Sequence, residues 1–198
     1  ERWFLYKYPQ MDGNEEADKI GLERLRKTVE LQNKVLYEYG LSRGIRCATT
    51  VSALLLAGRS YFIVHVGDSR IYLLDGKVNR LTEDQTLVAR EVKMGILSKE
   101  DAQRDGRQNV ILQSVGADKK VDILTYCGLA AGNFSFLLCS DGFYHHAAER
   151  ELLELFFEKK YDNSEQLGKS IESMLGYLKD RGEQDNISAA VIQYRENI

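Results

Sequence analysis

The sequence predicts an α+β fold, a layered sandwich of antiparallel strands and helices, and three observations carry that prediction. Strand-like segments follow one another with only turn signals between them. Helical segments stand in groups before and after those runs, whereas a parallel sheet needs a helix after nearly every strand. The length of 198 residues, 43% of them hydrophobic and 29% charged, suits one well-buried core better than two. Residues 1–198 are therefore expected to form a single domain, without internal repeats or low-complexity tracts.

Each element has its own signal. "ERWFLYKY" is expected to be a helix, with Trp3, Phe4 and Tyr6 in the core. After "PQMDGN", residues Glu15 to Tyr39 predict a long amphipathic helix. Asn14 is its N-cap, Glu15 and Glu16 fill the first turn, Ile20, Leu25, Leu31, Val35 and Leu36 supply a broken stripe, and Gly40 is the stop. "CATTVSALLLAG" and "YFIVHVGDSRIYLLDGKVNRLT" are rich in β-branched and aromatic residues and punctuated by Ala-Gly, Gly-Asp-Ser and Asp-Gly, which predicts a hairpin-linked meander. Residues 87–107 are polar, with short helix signals at "LVAREVKMG" and after Ser98, where "SKED" resembles a capping box; a mobile insert is expected. "NVILQSVG", "VDILTYCGL" and "FSFLLCSDG" return to strand. "AERELLELFFEKK" and "SEQLGKSIESMLGYLKD" are helices, the second placing Leu167, Ile171, Met174 and Leu178 on one face, and "NISAAVIQY" closes on a strand.

Composition narrows the function classes. A net charge of -3 provides no overall field toward nucleic acid or anionic lipid, so a ligand has to be recognised locally. Cys47, Cys127 and Cys139 are odd in number and lie in apolar segments, as reduced thiols packed like small hydrophobes do. No window reaches the roughly 18 apolar residues of a membrane span. The cytoplasm is the expected compartment.

Three aspartates share one kind of position. Asp141 ends the apolar run "FSFLLCSDG", Asp68 ends "FIVHVGDSR", and Asp185 immediately precedes "NISAAVI". Taken singly, such Asp-Gly and Asp-Ser dipeptides are more often turns than metal ligands. Taken together at neighbouring strand ends, three carboxylates would repel one another unless protons or a cation relieved them. Oxygen ligands without a converging histidine or thiolate point to Mg²⁺ or Mn²⁺ rather than zinc.

In order and approximate spacing, "CATTVSALLL", "VGDSRIYLL", "LTEDQTLV", "LLCSDGF" and "DNISAAVI", from about Thr49 to Ile192, resemble the signatures of the metal-dependent protein serine/threonine phosphatases of type 2C in their bacterial form. The resemblance implies a four-layer sandwich of two central antiparallel sheets flanked by helix pairs, with a two-metal centre of Mn²⁺ or Mg²⁺ at the rim. It implies that Asp141 and Asp185 coordinate the metals and that Asp68 helps hold a further, more weakly bound ion. Residues 87–107 resemble the family's flap beside the site. The implied reaction is hydrolysis of phosphoserine or phosphothreonine in phosphoproteins by a metal-activated water, opposing a serine/threonine kinase, without a covalent enzyme intermediate. Asn186 would orient Asp185; Thr49 and Thr50 could line the underside of the site, but ordinary strand residues are the better account of them.

The sequence also departs from the family pattern. The opening strand with a phosphate-binding Arg and the "Asp-Gly-x-Gly-Gly" turn are not seen; Asp12-Gly13 is followed by Asn-Glu-Glu and fits a loop. A start on Glu1 inside an expected helix predicts an N-terminally truncated enzyme lacking its first strands. Weak metal affinity and negligible turnover are expected of such a chain, with an exposed sheet edge through which it could form a homodimer. A non-catalytic, phosphoprotein- or partner-binding relative is the alternative. His65 is expected to be a core histidine and His145 and His146 to lie in a solvated loop. Salt bridges flanking strands are the expected role of Arg46 and Arg70.

Overall fold

The computed structural model describes residues 15–196. The expectations for "ERWFLYKY", Trp3, Phe4, Tyr6, Asp12-Gly13 and the Asn14 cap lie outside the described residues. Two antiparallel sheets with associated helices are present, and the fold is α+β. The chain separates into two compact units. One runs to Gly67 and resumes from Asp84 to Leu129; the other comprises Asp68–Glu83 and the chain from Ala130 onward. Among the described residues no helix is long and apolar enough to cross a membrane.

In the first unit, helix α1 (Glu15–Arg43) covers a sheet of β1 (Val51–Ala57), β2 (Ser60–Val66) and β5 (Leu124–Leu129) in the order β1-β2-β5. The helix does not stop at Gly40. A Cβ there would stand 2.8 Å from the Ile45 carbonyl oxygen, so the glycine permits a close approach while remaining helical. Termination falls at Gly44, with φ 64°. Ile45 N–H donates to Gly40 O at 3.0 Å and Gly44 N–H to Leu41 O at 3.3 Å, the paired bonds of a Schellman cap.

The buried stripe of α1 also differs from the expected one. Ile20, Leu31 and Val35 are exposed, while Leu22, Leu25, Val29 and Leu36 pack with Val64, Val66 and Val115. Asn33, a polar residue in the middle of that stripe, hid it. Its buried amide accepts from Gly116 N–H at 2.7 Å and donates to Asp118 O at 3.0 Å and Lys119 O at 3.3 Å. A buried amide with that many partners replaces an apolar contact without an orphaned polar group.

β1 and β2 form the expected hairpin, closing Ala57 against Ser60 around Gly58, whose φ is 58°. "NVILQSVG" forms no strand. Only single bridges, Thr86 to Ile111 and Thr49 to Val115, are made there, and Leu112 N–H is taken by Gln85 O in a loop. Its apolar residues mimic a strand while its amides serve loops. β5 begins at Leu124 rather than Val121 for the same reason: Asp122 N–H is taken by the Gln113 side chain.

The polar insert contains α2 (Leu87–Lys93) and α3 (Lys99–Ala102). Thr86 Oγ1 accepts from Ala89 N–H, and Ser98 Oγ accepts from Asp101 N–H at 3.0 Å. The Asp101 carboxylate in turn receives the Ser98 hydroxyl at 2.6 Å. Arg107 braces the end of the insert through Glu91 and Asp105. His65 is fully buried, as expected of a core histidine, with Nδ1 2.8 Å from Ser52 Oγ and Nε2 3.1 Å from Gly67 O.

The second unit holds β3 (Arg70–Leu74), β4 (Val78–Arg80), β6 (Phe134–Cys139) and β7 (Ala189–Tyr194) in the order β4-β3-β6-β7. The expected continuous meander is thus corrected. β3 and β4 are a hairpin, but β2 and β3 belong to different sheets, and Gly-Asp-Ser is a crossing between them. Gly67, at φ 109° and with Thr50 where its Cβ would be, makes that departure possible.

Against one face of the sheet pack α4 (Asp141–Tyr144), α5 (Glu149–Leu153), a π-helical turn (Glu154–Glu158) and α6 (Ser164–Asp180). The expected single helix "AERELLELFFEKK" is therefore α5 followed by a π turn. The stripe of α6 is as expected, with Met174 and Leu178 buried and Leu167 and Ile171 packed beside them. Phe143 and Phe156 are fully buried in the same cluster, each stabilising by about 1.5–3 kcal/mol. None of the three cysteines forms a disulfide, and Cys139 is buried as expected. Cys127 is exposed instead, because strand alternation on β5 turns it outward.

Candidate metal centre

All three sequence-predicted aspartates fall in the second unit, at one end of its sheet. Antiparallel pairing sets Arg70 opposite Cys139 and Cys139 opposite Ala189. Asp68 precedes Arg70 by two positions, Asp141 follows Cys139 by two, and Asp185 precedes Ala189 by four. In antiparallel strands these offsets all lead to the same rim.

Asp141 and Asp185 are drawn close by the turn between β6 and α4. A Cβ on Gly142 would lie 2.7 Å from Asn186 O and 3.4 Å from Asp185 Cβ, so only glycine lets the two segments abut. Ser140 fastens them. Its N–H donates to Ser188 O at 3.0 Å, and its hydroxyl accepts from Ser188 N–H at 3.0 Å. Each carboxylate has one oxygen oriented by a backbone amide: Gly142 N–H to Asp141 Oδ1 at 2.8 Å, and Asn186 N–H to Asp185 Oδ1 at 2.6 Å. Asn186 thus orients Asp185 through its backbone N–H. Lys179 Nζ donates to the Asp185 carbonyl at 2.6 Å, and Glu183 Oε1 accepts from Asp185 N–H at 2.8 Å.

Asp68 is buried, at 5% exposure. Its carbonyl receives the Tyr144 hydroxyl at 3.3 Å. Arg70 lies over the Tyr144 ring, 3.4 Å from its centroid, and donates to Tyr72 Oη at 3.1 Å. The Tyr72 phenol is itself pushed up, chiefly by burial. Together these contacts give Arg70 an aromatic bracket. Sequence reasoning missed Tyr144; its place one helical turn after Asp141 was the available signal. His145 and His146 are exposed in the turn after α4, as expected, and each brings a ring nitrogen 3.6 Å from Glu183 Oε2. Arg46 is exposed in the first unit.

The donor chemistry at the rim, oxygen atoms of aspartate alone, suits a hard divalent cation such as Mn²⁺ or Mg²⁺. Among the described residues, no three His, Cys, Asp or Glu side chains stand close enough together to hold an ion by themselves. Water and further oxygen donors would have to complete a shell of six.

Two antiparallel sheets with a carboxylate rim at the strand ends define the class, and the comparisons give the family. Residues 14–191 match the model of protein phosphatase 2C. The serine/threonine phosphatase stp of Listeria monocytogenes is 33% identical over 174 residues, covering 85% of this chain and 66% of that protein. A Streptococcus agalactiae (S. agalactiae) serine/threonine phosphatase structure superimposes with a TM-score of 0.77 at 27% identity, over 88% of this chain and 72% of that one. The catalytic domain of the serine/threonine protein phosphatase PstP, solved in complex with two manganese ions, gives a TM-score of 0.68 at 28% identity, over 86% of this chain and 69% of that one. This chain belongs to the protein phosphatase 2C family. The match spans just under two thirds of the length of the Listeria relative.

Proposed function

We propose that this chain contributes the metal ligands of a protein serine/threonine phosphatase, with Asp68, Asp141 and Asp185 as ligands of Mn²⁺ or Mg²⁺. The substrates on this reading are phosphoserine or phosphothreonine side chains of proteins phosphorylated by an opposing serine/threonine kinase. The observation that carries the reading is the abutment of Asp141 and Asp185 across Gly142, with Asp68 at the same rim. Family membership and the manganese-bound PstP relative support it.

The roles of the residues follow from their contacts. Gly142 and Asn186 N–H groups hold one oxygen of each carboxylate and so fix its plane, and Ser140 holds the two segments in register. The bound cation supplies positive charge that acidifies water and neutralises phosphoryl oxygens. Side chains held in advance need little reorganisation when the ion arrives.

The test is Mn²⁺ titration of the whole chain by calorimetry, beside release of phosphate from a phosphothreonine peptide with and without Mn²⁺. D141N and D185N are each expected to weaken Mn²⁺ binding at least about tenfold, the loss of one charged ligand, with unfolding midpoints kept near the parent's. Binding that survives both substitutions unchanged sinks the metal assignment. Phosphate release that proceeds equally with and without Mn²⁺ refutes the metal-dependent reading.

A further inference from the structure

The second unit contains a bracket that the metal reading does not use. Asp68 and Asp141 reach the rim on separate passes of the chain, and what joins their turns is the side chain of Tyr144. Its ring lies against the Arg70 guanidinium, 3.4 Å from the centroid, and its hydroxyl donates to the Asp68 carbonyl at 3.3 Å. Arg70 is held in turn by Tyr72 Oη at 3.1 Å. Tyr144 sits on the last position of α4, whose first residue is Asp141. One rigid side chain therefore grips the Asp68 turn from two sides, at the peptide of Asp68 and at the side chain two residues later. A planar guanidinium on a tyrosine face is a directional contact, which lysine reproduces poorly.

We propose that Tyr144 is a positioning residue that sets the spacing between the Asp68 and Asp141 carboxylates, and with it the affinity of the divalent ion that Asp68 helps to hold. The inference rests on the metal assignment of Asp68, Asp141 and Asp185 made above. Tyr144 acts through the peptide of Asp68 and through Arg70. The hydroxyl and the ring contribute separately: the hydroxyl fixes the Asp68 peptide, and the ring fixes Arg70. Removing the hydroxyl takes one hold from the Asp68 peptide while the fold, anchored by the fully buried Phe143 next door, stays in place.

The experiment is a double-mutant cycle on the whole chain, read by Mn²⁺ titration with electron paramagnetic resonance counting the free ion. Y144F is expected to weaken Mn²⁺ binding about fivefold, the equivalent of one net hydrogen bond, and to leave the unfolding midpoint within a few degrees of the parent's. In the D68N background the same Y144F substitution is expected to change Mn²⁺ affinity by less than about 1.5-fold, because the group it positions is gone. R70K should weaken binding in the Asp68 background and not in D68N. Equal losses in both backgrounds mean a general structural role and overturn the inference. No loss in the Asp68 background overturns it as well. D141N is the separate control: if it leaves Mn²⁺ binding intact, the metal assignment itself has failed. If D141N abolishes binding and Y144F does nothing, only the inference about Tyr144 has failed.

Discussion

Replacing Gly142 with alanine tests the closest approach at the candidate centre. The new Cβ would stand 2.7 Å from Asn186 O, a backbone atom, and 3.4 Å from Asp185 Cβ. No side-chain rotation relieves a collision with a carbonyl whose segment is held by Ser140 and Ser188. Overpacking of this kind costs about 1–3 kcal/mol. Alanine is the better helix former by up to about 1 kcal/mol, but α4 is four residues long and gathers only part of that. A net loss of about 2 kcal/mol lowers the melting temperature by roughly 4–8 °C for a chain of this size. Gly176 is the internal control, because it lies inside α6 with nothing within 4 Å of a built Cβ. G176A is expected to raise the melting temperature by roughly 1–4 °C. Calorimetric scans of the two variants and the parent make the comparison, and Mn²⁺ titration of G142A should show weakened binding as Asp141 and Asp185 are forced apart. A G142A protein that melts at or above the parent, or with the same shift as G176A, refutes the idea that these segments abut.

Two further outcomes follow from the packing. N33L leaves the Gly116 N–H and the carbonyls of Asp118 and Lys119 without their buried partner, so a loss of about 1–3 kcal/mol is expected in urea unfolding, despite the gain in apolar surface. For Glu151, burial pushes the carboxyl up, but the Ala148 N–H and the Arg181 guanidinium outweigh it and hold the group below its usual value of 4.5. Because the folded value is the lower one, this stabilisation is present above pH 4.5 and is lost as pH falls through the depressed value. Urea midpoints of the parent and E151Q should differ most near neutrality and converge in acid; a gap that widens on acidification contradicts the assignment.

Much of the second unit was legible in the sequence because its residues alternate or repeat cleanly. The stripe Leu167, Ile171, Met174 and Leu178 on α6 has helical spacing, and the apolar run before Asp141 has nowhere to go but a buried strand. The strand-end positions of Asp68, Asp141 and Asp185 were legible too, and strand pairing leads them to one rim. Where the reading failed, a local signal was overruled by a distant partner. Gly40 looked like a helix stop, yet its lack of a Cβ serves Ile45 O, and the chain turns at Gly44. Asn33 broke the apolar pattern of α1 because its partners lie more than eighty residues away. "NVILQSVG" has strand composition, but no neighbouring strand takes up its amides, and composition cannot show that. Tyr144 was invisible for the same reason: its meaning depends on Asp68 and Arg70, brought opposite by pairing between β3 and β6.

The crossing at Gly-Asp-Ser also constrains how the protein is made. The β3–β4 hairpin leaves the ribosome early, but its central neighbour β6 follows only after the rest of the first unit, residues 84–129, has been synthesised. At about 5–20 residues per second that interval is roughly 2–9 s, far longer than the microseconds in which a hairpin forms. During it, Ile71, Leu73 and Leu74 lack their β6 partners Leu138, Phe136 and Ser135. Nascent chains stalled within that interval should be the form most readily captured by chaperones or cut by protease, and release past residue 139 should end the vulnerability.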